Sequence, residues 1–240
     1  MDSEERRASI MEKSLMAEVF QNVNNFFVDE RLQQMPTFPE WENGAIEQSL
    51  REIEELLEKR QAQLDETPGE LETQYYWMSY VLRALGYCAS VAEPPPQGVD
   101  AEDVRPDFTL FYSADDFRRV VGMRGEREFF ANALGVVRTL SWGSSLDEYE
   151  SEDGTYSPAF DVDRHLRNTG TNWGILTNGK VWRLYHRDSS GLLNTYFEFD
   201  LMTALESNDM DAFRTFWLVF SPEGLGGSEV GGAIVQRLLN

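Results

Sequence analysis

Few residues in this chain have the type and spacing for chemistry. Asp161 and His165 stand four apart in a stretch of helical character, so they share one face and could ligate a metal. With only two histidines in the protein and no third ligand in view, a surface pair is the better reading. Cys88 is the single cysteine, lies in an apolar stretch after Leu85-Gly86 and has no neighbouring base, so it reads as a small buried hydrophobe and not a nucleophile. Arg164, Arg167, Lys180, Arg183 and Arg187 form the most basic stretch and could touch a phosphate backbone together with Asn178; arginines balancing nearby acids explain the stretch equally well. Glycine-rich phosphate loops, nucleophile elbows and zinc-finger spacings do not occur.

The elements that must position these residues follow from periodicity. Residues 6–20 have a short amphipathic pattern, and residues 24–39 are a hydrophobic connector without clear period. Ile46, Leu50, Ile53, Leu57 and Leu64 recur at three- and four-residue steps and predict a helix over 45–64. A more aromatic helix is predicted over 71–85, stopped by Gly86. Strands are predicted over 87–91, 105–112 and 134–140, with a proline-rich loop at 94–98 and short helical segments at 115–121 and 126–133. Five carboxylates within residues 147–153 suggest a solvated, mobile loop. A helix over 159–168 closed by Gly170, a hairpin of 172–176 and 181–186 across Asn178-Gly179, and a strand over 193–199 come next. Helical segments from 204 and over 211–220 lead to a glycine-rich linker at 224–227 and a last helix from 233. The order is that of an α/β layer protein.

Three segments, taken together, resemble a known family: Arg105-Pro106-Asp107-Phe-Thr-Leu-Phe111, the run from Ala133 through Trp142-Gly143 to Leu146-Asp147, and Trp173-Gly-Ile-Leu-Thr-Asn-Gly-Lys-Val-Trp-Arg-Leu-Tyr185. They are similar to the PD-(D/E)xK nuclease-like region at the front of type IIG-like restriction-modification and phage-defence DNA methyltransferases, over about residues 20–220. The resemblance implies a restriction-endonuclease-like central mixed sheet flanked by helices (69–221), with an N-terminal helical extension packed on it (1–68) and a linker with the start of a helix (222–240). The chain would be the front fragment of a longer methyltransferase or a stand-alone remnant.

In that family two carboxylates hold Mg²⁺, the metal activates water, and a lysine two residues after the second acid steadies water and phosphate. The resemblance makes Asp107, after Pro106, the metal-binding acid. Counting back from Trp142-Gly143, the acid and lysine positions fall on Arg138 and Leu140, and neither residue can do the work. None of the three lysines stands two residues after a carboxylate. The family's helical glutamate falls near Thr73-Gln74-Tyr75, with Glu72 the nearest acid, and its later glutamine–tyrosine pair falls on Asp161 and His165. Arg138 is expected to face Asp107 across adjacent strands, guanidinium replacing metal. No cofactor is then expected. An active Mg²⁺-dependent endonuclease using Asp107 with Glu72 or Asp147 is the first rival reading, and an acidic protein-interaction module the second.

Composition narrows the partners. The 42 acidic against 21 basic residues give a formal charge of -21, which disfavours polyanion binding by the whole surface. Adaptation to high salt accounts for the spread of lysine scarcity better than a DNA-mimicking face does. DNA, bound in a salt-dependent way, and a methyltransferase or other defence subunit are the expected partners. The short apolar runs and absence of a signal pattern suggest a cytoplasmic location without membrane contact.

Overall fold

The computed structural model describes residues 19–98, 105–151, 154–228 and 231–240. The pattern over 6–20 lies almost wholly outside them. In chain order the elements are β1 (Phe20–Val23), α1 (Asp29–Gln34), α2 (Ala45–Asp65), α3 (Glu70–Thr73), a π-helical turn (Gln74–Met78) and α4 (Ser79–Ala84). There follow β2 (Cys88–Val91), β3 (Phe108–Phe111), α5 (Ala114–Val120), α6 (Arg127–Ala131), β4 (Gly135–Thr139), β5 (Tyr149–Ser151) and β6 (Gly154–Tyr156). The chain continues with α7 (Ala159–Thr169), β7 (Trp173–Thr177), β8 (Val181–His186), β9 (Tyr196–Asp200), α8 (Leu201–Ser207), α9 (Met210–Phe220), α10 (Pro222–Gly226) and α11 (Ile234–Leu239).

Seven strands form one mixed sheet in the order β1-β9-β8-β7-β4-β3-β2. β4 and β7 are its one parallel pair; parallel neighbours require a crossover, and α7 lies within the connection between them. Both faces are covered, and the strand period of two sorts the side chains. Val137, Ile175, Leu184, Phe197 and Phe199 join the large core with Ile53, Trp77 and Phe216 from the helices. Val136, Leu140, Leu176 and Tyr185 join the smaller core with Val162 and Leu166 of α7. A Cβ at Gly174 would stand 2.5 Å from Val162 Cγ1, so the missing side chain lets α7 approach the sheet.

Two boundaries differ from the sequence reading. The N-terminal part is not simply a helical appendage, because β1 pairs with β9 and completes the sheet. α2 is tied in through a relay: Trp217 Nε1 donates to Ser49 Oγ at 3.2 Å, and Ser49 Oγ donates to the Ala84 carbonyl at 2.8 Å. The C-terminal stretch is no linker either. Pro222, Gly224 and Leu225 of α10 are buried, and Ile234, Val235 and Leu238 of α11 are completely buried in the large core.

The acid-rich segment expected to be a mobile loop contains the two-stranded β5–β6 ribbon. The hairpin forms as predicted, with β7 and β8 pairing antiparallel. Asn178 Oδ1 accepts the backbone N–H groups of Lys180 and Val181, which fixes the turn. Gly179 takes φ +86°, and a Cβ there would lie 2.4 Å from the Trp142 ring. Trp77 Nε1 donates to the Gly179 carbonyl at 2.9 Å and packs edge-on against Trp142. The turn, the Trp-Gly segment and the aromatic helix are thereby locked together at the C-terminal end of β4.

Candidate functional site

At that end of β4 the strand alternation that buries Val136 and Leu140 against α7 also turns Arg138 to the same side. Across the antiparallel β3–β4 ladder Phe108 lies opposite Val137, so one further step brings Asp107 opposite Arg138. Arg138 Nη1 stands 3.3 Å from Asp107 Oδ2, and the Thr139 backbone N–H donates to the same oxygen at 2.5 Å. The expected guanidinium–carboxylate pair is present.

Two further carboxylates converge on Arg138. Its Nη1 donates to Glu70 Oε1 at the start of α3, and its Nε lies 3.4 Å from Asp161 Oδ2 in the first turn of α7. Nη1 also donates to the Thr139 carbonyl at 2.8 Å. One cation thus gathers acids from a strand edge and two helices. The side chains of Arg138, Asp107 and Asp161 are 20%, 15% and 16% exposed and that of Glu70 is 36% exposed, so the cluster is withdrawn from water except at its Glu70 edge.

Two neutral side chains complete it. Gln74, the first residue of the π-helical turn, hydrogen-bonds Asp107, and the Tyr156 hydroxyl donates to Asp161. Burial pushes the Asp107 carboxyl up to about 7; repulsion from Asp161 adds to this, while the bonds from Thr139 and Gln74 oppose it. Burial, with the hydrogen bond and charge of Asp161, also pushes the Tyr156 phenol up and keeps it a neutral donor.

No family model, curated protein or solved structure matches this chain.

Three carboxylates are the donor type that suits a hard divalent cation. Here they are arranged around guanidinium nitrogen atoms, and a second cation in their midst would meet the charge of Arg138. As placed, the three acids are turned to the guanidinium and not to a shared metal position. Leu140, at the expected lysine position, is 4% exposed in the core under α7 and has no path to the cluster.

Other candidate residues are placed elsewhere. Glu72 accepts the backbone N–H of Gly69 at 3.1 Å and caps α3; Glu70, two residues earlier, is the acid that reaches the site. Asp147, 71% exposed, pairs with Arg183 at 2.8 Å. Asp161 and His165 are not a surface pair, since Asp161 faces Arg138 and His165 is buried. Cys88 is partly buried opposite Phe111, and burial raises its thiol pKa away from the reactive thiolate.

Carboxylates engage the basic stretch only in part. Arg183 is buried, its Nε held by Glu198 at 2.6 Å and its Nη1 donating to the Leu146 carbonyl at 3.0 Å. Asn178 is also buried, its Nδ2 donating to the Ser144 carbonyl at 2.6 Å. Arg167 pairs with Asp163 at 2.8 Å, Arg164 lies over the Phe160 ring, and Lys180 lies over Trp142. Trp142 and Trp173 are buried and offer no stacking platform to a base.

Glu70 and Gln74 carry a signal in the sequence, as polar residues four apart at the start of an otherwise aromatic helix. Which of Glu70 and Glu72 turns inward depends on where the helix begins relative to the sheet edge. That is a tertiary fact.

Proposed function

We propose that this chain is a nuclease-like module of the PD-(D/E)xK kind, with a restriction-endonuclease-like sheet, from a DNA restriction-modification or phage-defence system. Its centre does not cut DNA, and the module serves DNA engagement or assembly with a methyltransferase or another defence subunit. The observation that carries this reading is the convergence of Asp107, Glu70 and Asp161 on the Arg138 guanidinium. The acid after proline and the residue at the second-acid position meet on neighbouring strands, as such a centre requires, but the charge between them is part of the protein.

The chemical consequence is direct. A metal ion lowers the pKa of bound water and neutralises charge on the phosphate oxygens. A guanidinium has no vacant coordination position for water, and the Nη1 and Nε donors of Arg138 already serve three carboxylates and a carbonyl. The remaining carboxylate charge would repel a scissile phosphate. No helix among the described residues is long and apolar enough to cross a membrane.

Incubation of supercoiled plasmid with the purified protein and Mg²⁺ or Mn²⁺ tests the reading. The expected result is intact plasmid with wild type and with Asp107→Ala alike. Metal-dependent nicking that disappears in Asp107→Ala would overturn it in favour of an active endonuclease.

A further inference from the structure

Away from the Arg138 cluster, a groove of about 370 Å³ runs between α2 and α4, with Leu56 among its apolar lining and Lys59, Arg60, Tyr80 and Arg83 along it. The Arg60 guanidinium carbon lies 5.4 Å from the Tyr80 ring centroid and 5.7 Å from that of Tyr76. The Arg83 guanidinium carbon lies 4.9 Å from the same Tyr80 ring. Two guanidiniums thus share one aromatic side chain.

Acids outnumber bases two to one in the chain, and eight of the sixteen described arginines pair with a carboxylate. Arg124, Arg138, Arg183 and Arg237 each hold a carboxylate. Among the described residues neither Arg60 nor Arg83 does so. A guanidinium resting on a ring keeps its in-plane N–H groups free, and those donors match the oxygens of a tetrahedral or planar anion. The two carboxylates beside them are already occupied: Glu55 takes Lys59 at 3.1 Å, and Glu52 takes Gln48 Nε2 at 2.9 Å. With Lys59 and Glu55 paired, the groove has two guanidiniums against the one remaining carboxylate of Glu52. At about 0.1 M salt the Debye length is about 10 Å, so this local balance acts over the groove while the distant acidic surface is screened.

We infer that the Arg60–Tyr80–Arg83 groove is an anion site that takes a phosphate group. It lies on the helical run that also carries Glu70, and ten residues of helix span about 15 Å. A phosphate held here would be outside the carboxylate cluster and its repulsion. The same chemistry is presented by free phosphate and by a nucleic-acid backbone, and the test separates them.

Binding of inorganic phosphate to the full chain at about 0.1 M salt would be followed by heteronuclear NMR, and binding of a duplex oligonucleotide by anisotropy. Wild type is compared with Arg60→Gln/Arg83→Gln, with Tyr80→Leu and with a control, Arg118→Gln, whose exposed guanidinium already pairs with Asp115. The double variant is expected to weaken phosphate binding at least tenfold, Tyr80→Leu to weaken it several-fold, and the control to stay within twofold. A parallel loss of duplex binding, with a salt slope reduced by about two, identifies the backbone as the source. Loss of phosphate binding alone supports the site with a free anion as ligand. Absence of phosphate binding to wild type, or equal binding by the double variant, overturns the inference. The duplex arm rests on the proposed DNA engagement and the phosphate arm does not, so the two can fail separately.

Discussion

Replacing Arg138 by alanine should destabilise the fold by about 3 kcal/mol, read as a shift of the denaturant midpoint at unchanged slope. The loss comes less from the missing contacts than from what is left behind. Asp161 and the half-exposed Glu70 would lose their cation beside the buried Asp107 carboxyl, and removing one partner of a buried pair is costly. Arg138→Lys should recover only part of the stability, because one ammonium cannot reach three separately directed acids and the Thr139 carbonyl. Adding Asp161→Asn to Arg138→Ala should restore part of the stability, since it removes a carboxylate left without its cation; the coupling energy of the double-mutant cycle measures the pair. Unchanged stability of Arg138→Ala at neutral pH would mean that the acids relax into water and that the cluster does not hold its three elements together.

The second large effect is a pH dependence. The folded Asp107 carboxyl binds its proton more tightly than the unfolded chain does, with a pKa of about 7 against an ordinary 3.8. Its contribution is therefore complete below pH 3.8, falls as pH rises through the interval to about 7, and is flat above that. Over the whole interval the change is on the order of 4 kcal/mol. Carboxyls with lowered pKa act in the opposite sense: Glu40, held by Arg237 and Ser228, and Asp163, held by Arg167 and Ser190, lose their stabilisation as pH falls. The relevant quantity is thus the difference between wild type and Asp107→Asn. Wild type should lose stability relative to the variant between pH 5 and 7, and a difference that does not change over that range would contradict a raised Asp107.

The residues of the cluster differ in how readable they were. Asp107 and Arg138 are legible through the resemblance, by the acid after Pro106 and the count back from Trp142-Gly143, and the antiparallel register of their strands then brings them together. Leu140 follows from the same count. The sequence points to Glu72 where the structure uses Glu70, because helix phase relative to a sheet edge is set by packing, here through a π-helical turn that brings Gln74 to Asp107. Arg183 was misjudged for a related reason. The pattern Val181-Trp-Arg-Leu-Tyr suggests a hairpin with one wet face, yet α7 and the segment around Leu146 cover that face and convert a surface cation into a buried one.

Long-range pairing explains the other differences. β1 is four residues whose partner, β9, lies more than 170 positions later, so nothing local marks Phe20–Val23 as a strand. The tail was read as a linker from its glycines, although Ile234, Val235 and Leu238 have the spacing of a buried helical face. The helix over 45–64 and the hairpin at Asn178-Gly179 depend on local pattern and are legible for that reason.

Direct measurement of Mn²⁺ binding by electron paramagnetic resonance on the purified protein, at a pH above 7 where Asp107 is ionised, tests the central claim that the Arg138 guanidinium occupies the cation position. The expected spectrum is that of free Mn²⁺, unchanged in amplitude by the protein. Stoichiometric binding of one Mn²⁺ that is lost in Asp107→Ala would contradict the account.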